Sequence, residues 1–222
     1  MNYLDLSKIN NVIFDFDGLL VNSEDVINAC WIKTCDYFEI DYPEGFFDNI
    51  VGVSKDVTYK ALKEYMLQPI DEKDFFHQRA LFIDEEVKKG EVKLLPGVQQ
   101  FLEKLDERNI SMYIATSSSR SWPINLINRL NIQHFFGNIY GYEDVDSVKP
   151  SPDLYLKVIA ENQLDTDTTV IFEDSLSGIT AATSAGVHTI VVNPKKYTFS
   201  KLMEKNILFQ INSFSELKTD HP

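Results

Sequence analysis

Asp15-Phe16-Asp17-Gly18 follows the apolar run Val12-Ile13-Phe14 and sets two carboxylates where no local packing need calls for them. Three further stretches carry polar groups suited to the same chemistry: Thr116-Ser117-Ser118 after Ala115, Lys149 before Pro150, and Glu173-Asp174 after Phe172. Together they supply a carboxylate nucleophile, a second carboxyl group to move a proton, a cation and hydroxyls for anionic oxygens, and hard oxygen ligands for a divalent ion. Metal-assisted phosphoryl transfer through a covalent enzyme intermediate needs those groups.

Each stretch also has a plainer reading. Asp-x-Asp-Gly is common turn chemistry, and Thr116 to Ser119 suits a capped helix start. Lys149-Pro150-Ser151-Pro152 suits a loop entering a helix, and Glu173-Asp174 suits a helix amino terminus, where acidic residues are favoured. What the four share is placement just past an apolar strand or at a helix start. In open α/β sheets that edge, outside the carboxyl ends of the strands, is where ligands bind. Asp144 and Asp146, just before the lysine loop, have no such placement and read as solvated.

The elements that would position these groups are legible from periodicity. Val12-Ile13-Phe14 reads as a strand buried on both faces, and Gly18 lets the backbone turn out of the sheet. Ser23 can cap a helix running to Tyr37, with further helices around Lys55 to Met66 and Glu72 to Lys89. From Val98 helix and strand alternate: helix Val98 to Arg108, strand Ser111 to Ala115, helix Trp122 to Leu130 with proline in its first turn, and a short strand at Ile139-Tyr140. Helix Pro152 to Asn162, strand Thr169 to Phe172, helix Gly178 to Ala185, strand His188 to Val192 and an edge strand Ile207 to Ile211 complete the pattern. The fold class is α/β: a Rossmann-like parallel sheet core of residues 1–22 and 91–222, with an all-helical cap inserted at 23–90.

Composition narrows the partners. In 222 residues, 34 acidic against 21 basic side chains give a formal charge of −13, which disfavours nucleic acid and anionic membranes and favours divalent cations. Cys30 and Cys35 form no disulfide framework or zinc spacing and read as free thiols of a reducing compartment. With no signal-like segment and no long apolar stretch, the expected location is cytoplasmic.

In order and context the four stretches resemble the haloacid dehalogenase superfamily, in its phosphatase and phosphomutase branch with a helical cap. The first motif is seen in Asp15-Phe16-Asp17-Gly18-Leu19-Leu20-Val21-Asn22-Ser23-Glu24, the others in Thr116, Lys149-Pro150 and Glu173-Asp174. The resemblance implies that Asp15 forms an aspartyl phosphate and that Asp17 protonates the leaving alkoxide and then activates water. Thr116 and Lys149 would hold the phosphoryl group, Ser117 and Ser118 would join them in binding substrate, and Ser118 with Arg120 resembles the position where phosphomutases hold the distal phosphate of a sugar bisphosphate. Mg2+ would be held by Asp15, Glu173 and Asp174, with the Asp17 carbonyl as a further ligand. Gly52-Val53-Ser54-Lys55 looks like the cap segment that selects the substrate.

The implied activity is a magnesium-dependent phosphatase of small phosphorylated metabolites, sugar phosphates foremost. The alternative in the same branch is a β-phosphoglucomutase, weakened because Ile27 stands where that mutase carries a histidine. The alternative of another class is a catalytically silent binding or regulatory protein on the same fold, against which the intact set of groups speaks.

Overall fold

The computed structural model describes residues 3–47 and 55–219. The chain divides into two compact units, residues 23–92 and residues 1–22 with 93–222.

The first of these is helical: α1 (Ser23–Tyr37), α2 (Lys55–Leu62) and α3 (Glu72–Lys89). Asp71 caps α3 by accepting from Lys73 N and Asp74 N, which satisfies two amides that have no partner within the helix. Its core gathers Trp31, Cys35, Phe47, Tyr59, Leu62 and Phe75. The aromatics crowding this region are therefore packing: Phe38 stacks on Phe75 at 5.6 Å, and the Arg79 guanidinium lies 4.2 Å over the Trp31 ring. Burial lowers the Arg79 pKa to about 10. Cys30 and Cys35 are both free and buried. Helix α1 starts at Ser23 itself rather than after it.

The larger unit alternates strand and helix: β1 (Asn11–Phe14), α4 (Val98–Glu107), β2 (Ser111–Ala115), α5 (Ser121–Arg129), β3 (Phe136–Tyr140), α6 (Asp153–Asn162), β4 (Thr169–Glu173), α7 (Leu176–Ser184), β5 (His188–Val192) and β6 (Ile207–Ile211). The strands form one sheet in the order β3-β2-β1-β4-β5-β6, every neighbouring pair parallel. This is the doubly wound order, whose direction reverses at β1 and β4.

Two-residue alternation builds both faces of the sheet. Ile13 and Ile171 join Leu154, Tyr155 and Val158 of α6 and Ala181 and Ala182 of α7 in one buried cluster. Phe14 and Phe172 stack at 5.4 Å and meet Phe101 of α4 and Phe214. Burying each such ring contributes roughly 1.5–3 kcal/mol over leaving it exposed, so the β1–β4 pair is held from both sides.

Two elements of this unit begin two or more residues before the expected position. Strand β3 begins at Phe136, three residues before the apolar pair that announces it. As an edge strand it leaves Gly137 and Asn138 exposed, residues of low strand propensity that mask the pattern. Helix α7 starts at Leu176, because the Ser175 hydroxyl accepts from Gly178 N and so fixes the amino cap. Among the described residues no helix is long and apolar enough to cross a membrane.

Candidate active site

Registers put the ends of three strands level: Phe14 lies opposite both Ile114 of β2 and Phe172 of β4. The next residues along these strands are therefore Asp15, Ala115 and Glu173, side by side, and Asp15 N continues the ladder to Phe172 O at 3.1 Å. Beyond Asp15 the chain turns at Gly18, whose φ of 78° is in the left-handed region that glycine enters without strain. The amides of Leu20 and Val21 bond back to Phe16 O, closing the turn that carries Asp17.

Lys149 reaches this edge from the loop before α6 and is 9% exposed. An ammonium has three hydrogens, and here three acceptors meet it: Asp15 Oδ1 at 2.5 Å, Glu173 Oε1 at 2.6 Å and Ala115 O at 2.9 Å. Burial alone would lower the lysine pKa, yet the two carboxylates hold it above its ordinary value, so it stays charged. For Asp15 burial dominates and raises the carboxyl pKa against the pull of Lys149, with Glu173 adding to the rise.

Glu173 is fully buried and engaged at both oxygens. Oε1 also accepts from the Tyr155 hydroxyl at 2.7 Å, while Oε2 accepts from Asp174 N at 3.0 Å and Ser175 N at 3.2 Å. Burial and the Glu173 charge push the Tyr155 pKa well up, so that hydroxyl remains a donor. Asp174 is held through its backbone: Asn193 Nδ2 and the Tyr197 hydroxyl donate to its carbonyl at 2.9 and 3.1 Å.

Asp17 is met from the loop after β2 and from the first turn of α5. Ser118 Oγ donates to Oδ2 at 2.7 Å, Thr116 Oγ1 donates to the same oxygen at 3.3 Å, and Trp122 Nε1 donates to Oδ1 at 2.8 Å. Thr116 is buried and tied to the sheet through Tyr140 O, whereas Ser117 is exposed. Arg120 pairs with Asp144, which also accepts from Gly141 N. Asp144 is thus not solvated as its sequence context suggests: it is a brace for the loop, its side chain 13% exposed.

One carboxylate oxygen each of Asp15, Glu173 and Asp174 lies within 4.8 Å of the others. Three buried acids, two of them meeting the Lys149 ammonium, all offer hard oxygen donors and suit a divalent cation such as Mg2+. Of the segment expected to select substrate, Gly52, Val53 and Ser54 lie outside the described residues, and Lys55 is the first residue of α2. Sequence reading missed Trp122, Tyr155, Asn193 and Tyr197. Tyr155 alone carried a signal, an aromatic one helical turn into the element that Lys149 introduces.

A family model described as haloacid dehalogenase-like hydrolase matches residues 12–192. The chain belongs to that family. One relative of this haloacid dehalogenase-like hydrolase, a phosphorylated carbohydrates phosphatase of Thermotoga maritima, is 31% identical over 182 residues, covering 81% of this chain and 82% of the relative. The β-phosphoglucomutase of Bacillus subtilis is 25% identical over 187 residues, covering 82% of each. The crystal structure of CbbY from Rhodobacter sphaeroides in complex with phosphate superposes with a TM-score of 0.77 at 22% identity, covering 94% of this chain and 96% of that one, and shows the shared fold.

Proposed function

We propose that the protein is a magnesium-dependent phosphatase of small phosphorylated metabolites, sugar phosphates foremost, with residues 23–92 serving as its cap. The observation that carries this reading is the pairing of β1 with β4, which sets Asp15 beside Glu173 and Asp174, with Lys149 bridging Asp15 and Glu173. The phosphatase relative from Thermotoga maritima supports the substrate class.

In this reading Asp15 attacks phosphorus, the bond to the leaving oxygen breaks, and Asp17 delivers its proton to that oxygen. Asp17 then takes a proton from water as the water attacks the aspartyl phosphate, releasing Asp15 and inorganic phosphate. Lys149 balances phosphoryl charge, and Thr116 with Ser117 and Ser118 lies on the loop that faces it. Bound by Asp15, Asp174 and the Asp17 carbonyl, Mg2+ would neutralise phosphoryl charge and ease nucleophilic approach. Glu173 is the fourth acidic candidate, and its two engaged oxygens favour a role in holding Lys149 and the Asp174 turn.

The mutase reading has the Bacillus subtilis relative in its favour. Against it, Ile27 packs on the aromatic core of the helical unit and can replace no acid or base. The test is incubation with Mg2+, β-glucose 1-phosphate and a trace of glucose 1,6-bisphosphate, following phosphate and glucose 6-phosphate together, then a panel of other sugar phosphates. Phosphate release that EDTA stops is expected. Isomerisation without release would replace the phosphatase by the mutase, and silence across the panel would favour a binding protein.

A further inference from the structure

Asp17 receives hydrogen bonds of two different kinds. Ser118 is a hydroxyl, able to donate or accept as it rotates, and it meets Oδ2 at 2.7 Å. Trp122 is an indole, able only to donate, and it meets Oδ1 at 2.8 Å. A group that must give and then take a proton needs one oxygen whose neighbour tolerates both states. Oδ2 has such neighbours in the hydroxyls of Ser118 and Thr116, whereas a proton on Oδ1 would point at the indole N–H.

The backbone that carries the indole is itself held in place. Trp122 N bonds to Ser119 O at 3.0 Å, and Pro123 follows it in the first turn of α5. The loop before it is fastened to the turn after β3: Ser119 Oγ donates to Glu143 Oε1 at 2.7 Å, Arg120 N to Glu143 Oε2 at 3.1 Å, and Tyr142 N to Ser118 O at 3.1 Å. The ring is half-buried, and these contacts fix the backbone from which its N–H reaches Asp17.

We infer that Trp122 is a positioning residue for Asp17, its indole N–H fixing Oδ1 so that Oδ2 is the oxygen presented to the leaving group and to water. This rests on the acid/base role proposed above for Asp17. Removing the N–H loosens the carboxylate at Oδ1 while the hydroxyls of Ser118 and Thr116 still meet Oδ2, and the loss falls on whatever step needs a correctly aimed proton.

Leaving groups separate that loss from a general one. An alkoxide leaving from a hexose 6-phosphate needs the proton, whereas p-nitrophenolate departs without it. Trp122→Phe is expected to lower kcat/KM for the hexose phosphate by roughly 10-fold or more, within the range general acid catalysis supplies, and to leave that for p-nitrophenyl phosphate within about 3-fold. Equal losses on both substrates, or none on either, would overturn the inference while leaving the phosphatase reading intact. A wild-type protein that hydrolyses neither substrate would remove that reading and the inference with it.

The contact is also read without turnover. The chain has two tryptophans, so its 15N spectrum carries two indole N–H signals, and Trp122→Phe identifies which belongs to Trp122. Asp17→Ala should shift that signal upfield and leave the Trp31 signal in place. A Trp122 signal that stays where it was would show that the indole does not hold Asp17, and the inference would be lost whatever the kinetics.

Discussion

Gly178 sits against the Glu173 carboxylate so closely that a methyl group on its Cα would overlap both oxygens. Glycine inside a helix ordinarily weakens it by about 1 kcal/mol relative to alanine. Here the missing side chain is what lets Glu173 lie under the start of α7, accept from Asp174 N and Ser175 N, and still reach Lys149. Gly178→Ala is therefore expected to destabilise the protein by about 1–3 kcal/mol, the cost of overpacking a filled site, despite the gain in helix propensity. Urea denaturation measures this; a variant as stable as the wild type would mean that Glu173 has room to move.

Lys149→Met keeps the apolar stem and deletes the charge shared by Asp15 and Glu173. Truncating one partner of a buried charge cluster leaves the others uncompensated, and a loss of about 3–5 kcal/mol with no measurable turnover is expected. The deficit should shrink as the pH falls, because protonating the stranded carboxylates removes the charge that has no partner. A deficit unchanged by acidification would place the loss in packing rather than electrostatics.

Burial raises the Asp15 pKa above its ordinary value of 3.8, so the folded chain binds that proton more tightly than the unfolded one. Its contribution is complete below the ordinary carboxylate range and is lost as the pH climbs toward the raised native value. Metal-free protein is thus expected to lose stability with rising pH across that window, and Mg2+ to raise Tm more at pH 8 than at pH 5. A Mg2+ shift independent of pH would separate the ion from Asp15.

Asp15→Asn keeps the shape of the site but removes the nucleophile. Turnover should vanish while binding of inorganic phosphate with Mg2+, read by calorimetry, survives. Phosphate release by this variant would disqualify Asp15 as the attacking group.

Cys30 and Cys35 lie on the buried face of α1, and burial raises both thiols, Cys35 up to about 12. A thiolate is the reactive form, so an aromatic disulfide reagent at pH 8 should label neither in the native protein and both in urea. Rapid native labelling would show that the helical unit opens readily.

Much of the larger unit is written locally. A strand of Val12, Ile13 and Phe14 is apolar on both faces because helices cover both, and that is readable without knowing which helices. The acidic, hydroxyl and lysine groups at strand ends are likewise visible one at a time, since their types depend on chemistry at their own position. Strand β3 is less legible, because an edge strand needs no second apolar face and Gly137 and Asn138 break its pattern.

Other features exist only after strands find their partners. That β4 lies beside β1 joins residues 158 positions apart through a register no local signal states, and it is this pairing that gathers Asp15 with Glu173 and Asp174. The same holds for finer roles. Glu173 and Asp174 are adjacent and chemically alike, yet one faces Lys149 and Tyr155 while the other is held at its carbonyl by Asn193 and Tyr197. Trp122 reads as an ordinary aromatic at a helix start until the loop is folded against Glu143 and its N–H meets Asp17. The sequence by itself determined which chemical groups the protein owns and the kind of element each one sits on, because side-chain type and hydrophobic period act over a few residues. Only the tertiary structure decided which groups meet and in what orientation, because hydrogen bonds and ion pairs act over about 3 Å and their partners come from distant parts of the chain.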